Sequence, residues 1–503
     1  MKRNLLALLV ALSLLAVACG GYTIQVVRSE DVGEAAVGAA ADDEARLSEG
    51  GGDAVSVGAG AAAEEQLRRR AAGGGDPKCA TNSDAAKGFT DKELKFGTIV
   101  PLTGALRPLG EQTARVMKTA VETWLNGITK IPGPYDLDWG CSSRPGIYGR
   151  KTSLHIFSLQ ASTPEEALSG MRRLIDVEKV FLVRDCYLQS NLMGPATQYQ
   201  NSKKVPGVWC SYSEMPLPRL APWNFSPGTD PNKVTGVHVG WLMSKLNKQR
   251  LALIADPSIA ETQVAVAKKI ASHFGHPIPD RCIVLKKAQE APNGMDSEIA
   301  QIRSCYPGTP GPDAVLAFDV FNGAFGAMEA RDQGWRGETV GTQWSCLTCW
   351  VQAIAELCAD ACENMITDCQ ALPCIPWADK NQYPAAAVLD DVWKKYLNRD
   401  PRDILTYGPA AITGGLGLWL GMTGPELSRD GLRNTLENLQ DWDAGIGPVL
   451  NTNANDHYGG KSVWLIQFSG TANSSVPWFK DMTSAFVPLG TVNVPESLTR
   501  SGN

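Results

Sequence analysis

LKFGTIVPLTGALRPLGEQTARVMKTAVETWL, residues Leu94 to Leu125, reads as a strand, a loop and a helix in succession. Lys95 to Val100 is a short β-rich run, and Pro101, Thr103 and Gly104 break it. Leu106 to Gly110 is a loop, and from Glu111 the apolar residues Ala114, Met117, Val121, Trp124 and Leu125 recur at helical spacing. That is the first half of a βαβ unit. In open α/β sheets the loop of such a unit lies at the carboxyl end of its strand, where ligands bind.

Outward from this stretch the same alternation repeats. Lys151–Ser158, Val180–Val183, Val205–Cys210, Leu251–Ala255, Ile283–Leu285 and Ala314–Phe318 read as strands. Thr163 opens a helix as an N-cap, with Pro164 in the first turn and Glu165 and Glu166 near the positive end of the helix dipole. Leu192–Gln200, Thr262–Phe274, Asp296–Cys305 and Phe321–Gln333 read as further helices. Strands alternating with helices predict parallel sheets covered on both faces. Beyond Trp344 the order changes. Residues 346–377 read as a Cys-rich, irregular insertion. Ala386–Tyr396, Ala410–Met422 and Arg429–Leu439 read as helices, and Gly447–Leu450 and Val463–Phe468 as late strands.

The chain has 503 residues, which predicts two or more lobes. Its net charge of −6 gives no electrostatic case for nucleic acid. Lys2 and Arg3 precede an apolar run from Leu5 to Val17, so residues 1–19 read as an export signal, too short to be a membrane span. Ala16-Val17-Ala18-Cys19 resembles a bacterial lipoprotein box, with Cys19 the acylated residue and Ala16 where a Leu is usual. That predicts a lipid anchor on the outer face of the cytoplasmic membrane. Residues 20–78 are rich in Ala, Gly and acids and read as a disordered tether.

Of the 13 cysteines, 12 remain after Cys19, and export makes disulfides the expected state. Cys79 with Cys141, Cys186 with Cys210 and Cys282 with Cys305 are plausible local pairs. Cys346, Cys349, Cys358, Cys362, Cys369 and Cys374 have irregular spacing and no nearby His, so they read as three disulfides rather than a metal site, with pairing left open. No HExxH, P-loop or Gly-x-Ser-x-Gly elbow is present. His273 and His276 read as helix surface and helix end, and the glycines from Gly414 to Gly421 as close helix packing. No catalytic residue, cofactor or metal is expected.

In their order the segments resemble a family. KFGTIVPLTGALRPLGEQ, then GIYGRKTSLHIFSLQASTPEEALSGMRRLIDVEKVFLV (Gly146–Val183), VPGVWCSYS (Val205–Ser213), PDAVLAFDVFNGAFGAMEARDQGW (Pro312–Trp335), YGPAAITGGLGLWLG and GPVLNTNANDHYGGKSVWLIQ are similar to the type I periplasmic binding proteins. The likeness is to the branched-chain amino-acid (leucine-binding) group of ABC-transporter substrate-binding lipoproteins, and it runs from about Glu93 to Ser469.

The resemblance implies an α/β fold of two Rossmann-like lobes with parallel-rich sheets, joined by a three-segment hinge that closes on ligand. Lobe 1 would be residues 93–228 plus 350–436, with the Cys-rich insertion; lobe 2 would be 229–349 plus 437–490. It implies capture of a small polar organic ligand (amino acid, amide or related) and delivery to an ABC permease. A ligand sensor or surface interaction protein on the same fold is the alternative.

The resemblance also suggests site residues. Ser190 matches the lobe-1 carboxylate position, and an ordinary helix N-cap is its other reading. Ser213 and Glu214 match the second lobe-1 loop, and Leu109 occupies the first loop, where an aromatic wall is common. In lobe 2, Gln343 aligns where an acid would hold a ligand ammonium, and a neutral amide gives no charge-assisted bond. Asp319 or Asp256 could substitute, each otherwise a turn or cap residue. Trp344 reads as a pocket wall or as hinge packing.

Overall fold

The computed structural model describes residues 79–103, 107–128, 139–141, 144–160, 163–184, 190–209, 221–257, 260–335, 342–347, 358–369, 394–396, 407–442, 450–460, 462–468 and 486–493. The signal, Cys19, the tether, Cys186, Cys210, Ser213, Glu214, Cys349 and Cys374 lie outside the described residues, as do the side chains of Leu109, Ser190 and Cys369. From residue 79 onward the chain divides into two compact units and passes between them at 228/229, 370/371 and 461/462.

Lobe 1 holds a six-stranded sheet. In chain order its strands are β1 (Glu93–Pro101), β2 (Lys151–Leu159), β3 (Leu182–Arg184), β4 (Gly207–Val208), β5 (Asn224–Thr229) and β11 (Tyr458–Gly460). Their spatial order is β11-β5-β4-β3-β1-β2, with β1 to β5 parallel. Six successive residues of β1, from Phe96 to Pro101, are buried. Such unbroken burial is the mark of a parallel strand covered on both faces. Helix α1 (Arg107–Lys118) continues through a π-helical turn, Thr119–Trp124. Helix α2 (Pro164–Arg172) starts as its sequence directs: Thr163 accepts a hydrogen bond from the Glu166 amide at 3.2 Å. Together with α3 (Ser190–Ser202) it covers one face of the sheet. Ile99, Leu159, Met171, Leu174, Val183 and Ala196 form the core there, each large side chain worth about 1.5–3 kcal/mol of burial. Helices α8 (Tyr407–Thr423) and α9 (Arg429–Leu436) return to this lobe, and α8 packs on α1.

Lobe 2 holds a seven-stranded sheet: β6 (Leu251–Ala255), β7 (Ile283–Leu285), β8 (Ala314–Ala317), β9 (Gln343–Cys346), β10 (Ile366–Cys369), β12 (Ser462–Phe468) and β13 (Phe486–Asn493). The spatial order is β13-β12-β10-β9-β8-β6-β7. β6 to β10 are parallel, and β10–β12 and β12–β13 are antiparallel. Its helices are α4 (Pro231–Ser244), α5 (Ala260–His273), α6 (Asp296–Ser304) and α7 (Val320–Asp332). The stretch read as an irregular Cys-rich insertion carries β10, which fills the sheet between β9 and β12. Helix α4 also escaped the sequence reading. Ten of its residues, Trp241 among them, are buried, so it lacks the polar face that marks an amphipathic helix.

Cys79–Cys141 and Cys282–Cys305 are bonded as the sequence suggested. Within the six-cysteine group, Cys358 pairs with Cys362, and Cys346 is disulfide-bonded as well. The glycine-rich face of α8 is packed as expected: a Cβ on Gly415 would touch the rings of Trp419 and Trp442 at 3.5 and 3.8 Å. Among the described residues no helix is long and apolar enough to cross a membrane, and no group of three His, Cys, Asp or Glu could hold a metal ion.

Candidate functional site

Strand order alone locates a crevice in each lobe. In lobe 1, β2 lies on one side of β1 and β3 on the other, so the chain changes direction across the sheet between β1 and β3. In lobe 2, β7 and β8 flank β6 in the same way. At such switch points the loops leaving adjacent carboxyl ends diverge and open a crevice.

The lobe-1 crevice is bounded by the loop after β1 and the carboxyl end of β3. Thr103 Oγ1 donates to the Leu159 carbonyl at 3.1 Å and ties that loop to the end of β2. The first turn of α1 lies directly on the strand end. A Cβ at Gly110 would stand 1.7 Å from the Pro101 carbonyl oxygen, so only glycine fits there. Leu109 precedes it on the same turn. β3 ends in Arg184, a fully buried arginine that the sequence reading passed over, although a charge closing an apolar strand was its signal. Ser190 begins α3 beyond it.

The lobe-2 crevice is acidic. Ile254 pairs with Ala317, so Asp256 and Asp319 leave neighbouring strands two residues further on. Asp319 is the N-cap of α7. It accepts from the Asn322 amide nitrogen at 2.9 Å and from Asn322 Nδ2 at 2.6 Å. Burial pushes its carboxyl up to about 6, with the charge of Asp256 adding to the rise and the Asn322 hydrogen bonds opposing it. Lys286 follows β7 and donates its amide to the Ala255 carbonyl at 3.0 Å. Its ammonium is held by Glu298 at 3.0 Å, with both side chains largely buried. Asn322 Nδ2 also donates to the Lys286 carbonyl at 2.9 Å, so one amide joins the ends of β7 and β8. Lys286 and Asn322 were not singled out from the sequence. The Asp-x-x-Asn spacing at the start of α7 is the signal that could have found Asn322.

The structure brings Asp256 and Asp319 together but not Gln343 or Trp344. Gln343 opens β9 at the amino edge of the sheet, opposite Ala314. Asp319 lies five residues beyond Ala314, some 16 Å along the strand at about 3.3 Å per residue. The Gln343 side chain is spent on backbone, with Nε2 donating to the carbonyls of Trp344 and Asn364. Trp344 is buried, edge-on to Trp335 with centroids 6.4 Å apart.

A family model described as periplasmic binding protein matches residues 93–473. No curated protein matches the chain. Solved structures share the fold at low identity. A possible leucine/isoleucine/valine-binding protein from Rhodopirellula baltica SH 1 is 15% identical with a TM-score of 0.60, over 79% of this chain and 99% of that one. A fatty acid ABC transporter substrate-binding protein from Thermomonospora curvata is 20% identical with a TM-score of 0.61, over 82% and 95%. A solute-binding protein of an ABC transporter from Rhodopseudomonas palustris HaA2, in complex with p-hydroxybenzoic acid, is 12% identical with a TM-score of 0.61, over 82% and 100%. Two switch-point lobes, a chain that passes three times between them, and a family match over most of its length lead to one assignment: this chain belongs to the periplasmic binding protein family.

Proposed function

We propose that the protein captures a small polar organic solute outside the cytoplasm and delivers it to an ABC import permease. The lobes would close on the ligand, each contributing the carboxyl-edge crevice at its switch point. The observation that carries the reading is the pair of matching crevices, β1/β3 in lobe 1 and β6/β8 in lobe 2. Asp256 and Asp319 at the lobe-2 edge favour a ligand with ammonium or amide N–H donors over a bare carboxylic acid. An amino acid, an amide or a related compound meets that demand. Ser190 and Leu109 at the lobe-1 edge, together with Ser213 and Glu214, which lie outside the described residues, are the proposed contacts to the remainder of the ligand.

Cys19 would carry the lipid that keeps the protein at the outer face of the cytoplasmic membrane. Labelled palmitate should enter the wild type and not a Cys19→Ala variant. The binding itself is tested by a thermal-shift screen of amino acids, amides, hydroxybenzoates and fatty acids. A ligand with N–H donors should raise the melting temperature steadily with its concentration. A response to hydroxybenzoates or fatty acids alone would refute the acidic-edge reading, and no response to any member would refute solute capture.

A further inference from the structure

Two of the five histidines, His238 and His457, are fully buried, and each sits where strands or helices leave one lobe for the other. In lobe 2, His238 on α4 meets Ser345 Oγ of β9 at 2.7 Å through Nδ1 and Asp368 Oδ1 of β10 at 2.9 Å through Nε2. Neither member of the His238–Asp368 pair has an exposed side chain. Helix α4 follows the first passage of the chain between lobes, β10 runs into the second, and β12 leaves the third. Asp368 faces Leu465 of β12 across the ladder, so one buried cluster joins all three roots.

Lobe 1 repeats the device with other residues. His457 directly precedes β11, which runs into the third passage. Its Nδ1 donates at 2.8 Å to the carbonyl of Asn224, the first residue of β5, which runs into the first. Nε2 faces Glu437 Oε1 at 3.2 Å at the end of α9, and Arg433 holds that carboxylate at 2.8 Å. The imidazole stacks on Phe225 with ring centroids 4.0 Å apart.

A Ser, a His and an Asp in one hydrogen-bonded row have the composition of an acyl-transfer triad. Here Ser345 has no exposed surface, so no acyl group can reach it. A buried hydrogen-bonded pair is costly to break, because each partner is left buried without its bond, so it holds the elements that carry it in one arrangement.

We propose that His238 with Asp368, and His457 with Glu437, are root anchors. They are positioning residues that fix the elements leaving each lobe, so that closure turns rigid lobes about the three passages instead of bending their roots. The link to closure rests on the solute-capture reading; the anchoring within each lobe does not, and it is tested without ligand.

Hydrogen exchange of the full chain is compared for wild type, His238→Gln, Asp368→Asn, Ser345→Ala, His457→Gln and Leu253→Ala, a buried β6 substitution as the control for general loosening. His238→Gln and Asp368→Asn should each speed exchange at least tenfold in α4, β10 and β12 together, with β6, β8 and lobe 1 at wild-type rates. His457→Gln should do the same for β5 and β11. If the lobe-2 pair variants do not fold, Ser345→Ala, which keeps the pair, should still give a smaller rise confined to the same three elements. Exchange confined to α4, or spread through the lobe as in Leu253→Ala, would overturn the proposal.

Discussion

Replacing Asp319 by Asn should remove a loss of stability that the wild type suffers as pH rises from about 4 to about 6. Burial lifts this carboxyl from its ordinary 3.8 to about 6, which means the fold disfavours its charged form. A group raised in this way contributes stability that is fully present below its unfolded value and lost as pH rises through the folded one. The loss therefore falls between about pH 4 and pH 6. A rise of about two pH units at ~1.4 kcal/mol each sets an upper bound near 3 kcal/mol. Partial exposure of the side chain brings the expected figure closer to 2 kcal/mol. Asn is as good an N-cap as Asp, so its Oδ1 keeps the bond from the Asn322 amide, while its amide nitrogen cannot accept from Asn322 Nδ2 and adds a cost that does not depend on pH. Urea denaturation of both proteins at a series of pH values, without ligand, reads the difference directly. Relative to the wild type, the Asn variant should gain about 2 kcal/mol between pH 4 and pH 7. A difference between the two proteins that does not change with pH would refute the assignment of a carboxyl whose charge the fold disfavours.

Other expectations follow from the packing. Gly110→Ala places a methyl 1.7 Å from the Pro101 carbonyl and should cost at least about 2 kcal/mol by displacing α1, visible as a lower melting temperature. Removing Cys282–Cys305 with a double Ser substitution should cost about 3 kcal/mol, the chain-entropy value for a separation of 23 residues, measured under non-reducing conditions. Arg429→Met strips a buried guanidinium from the carbonyls of Phe181, Val180, Lys87 and Lys203 and should cost about 3 kcal/mol in urea denaturation, because the Phe181 and Val180 acceptors stay buried.

Much of the fold was legible because local and tertiary signals agree. LALIA is β6 and Ile283–Leu285 is β7, residue for residue, since both are short apolar runs bounded by turn residues. The missed elements have contrary composition. β5 reads NFSPGT and β13 reads FVPLGTVN, each with a proline and a glycine that argue against a strand. β10 hides among cysteines, and one of the two strands that hold it in the sheet, β12, lies about a hundred residues away.

Candidate site residues were legible where a strand end could be read. Asp256 and Asp319 follow LALIA and AVLAF directly, and the register brings them together. The resemblance suggests Gln343 as a ligand partner, and the structure places it at the first position of β9. The rest of β9, Trp344 to Cys346, lies between it and the carboxyl edge of the sheet. Arg150 shows the opposite case. Nothing in its Gly-Arg-Lys context announces that it is fully buried and bonded to the carbonyls of Thr90 and Pro425, because those partners are joined to it only by tertiary structure.

The central claim is that the carboxyl edges at both switch points hold the ligand. Hydrogen exchange with and without a ligand from the thermal-shift screen tests it most directly. Protection should appear in the segments following β1 and β3 in lobe 1 and in those around Asp256 and Asp319 in lobe 2. Protection limited to one lobe, or gathered at the amino edges where Gln343 and Arg150 lie, would contradict it.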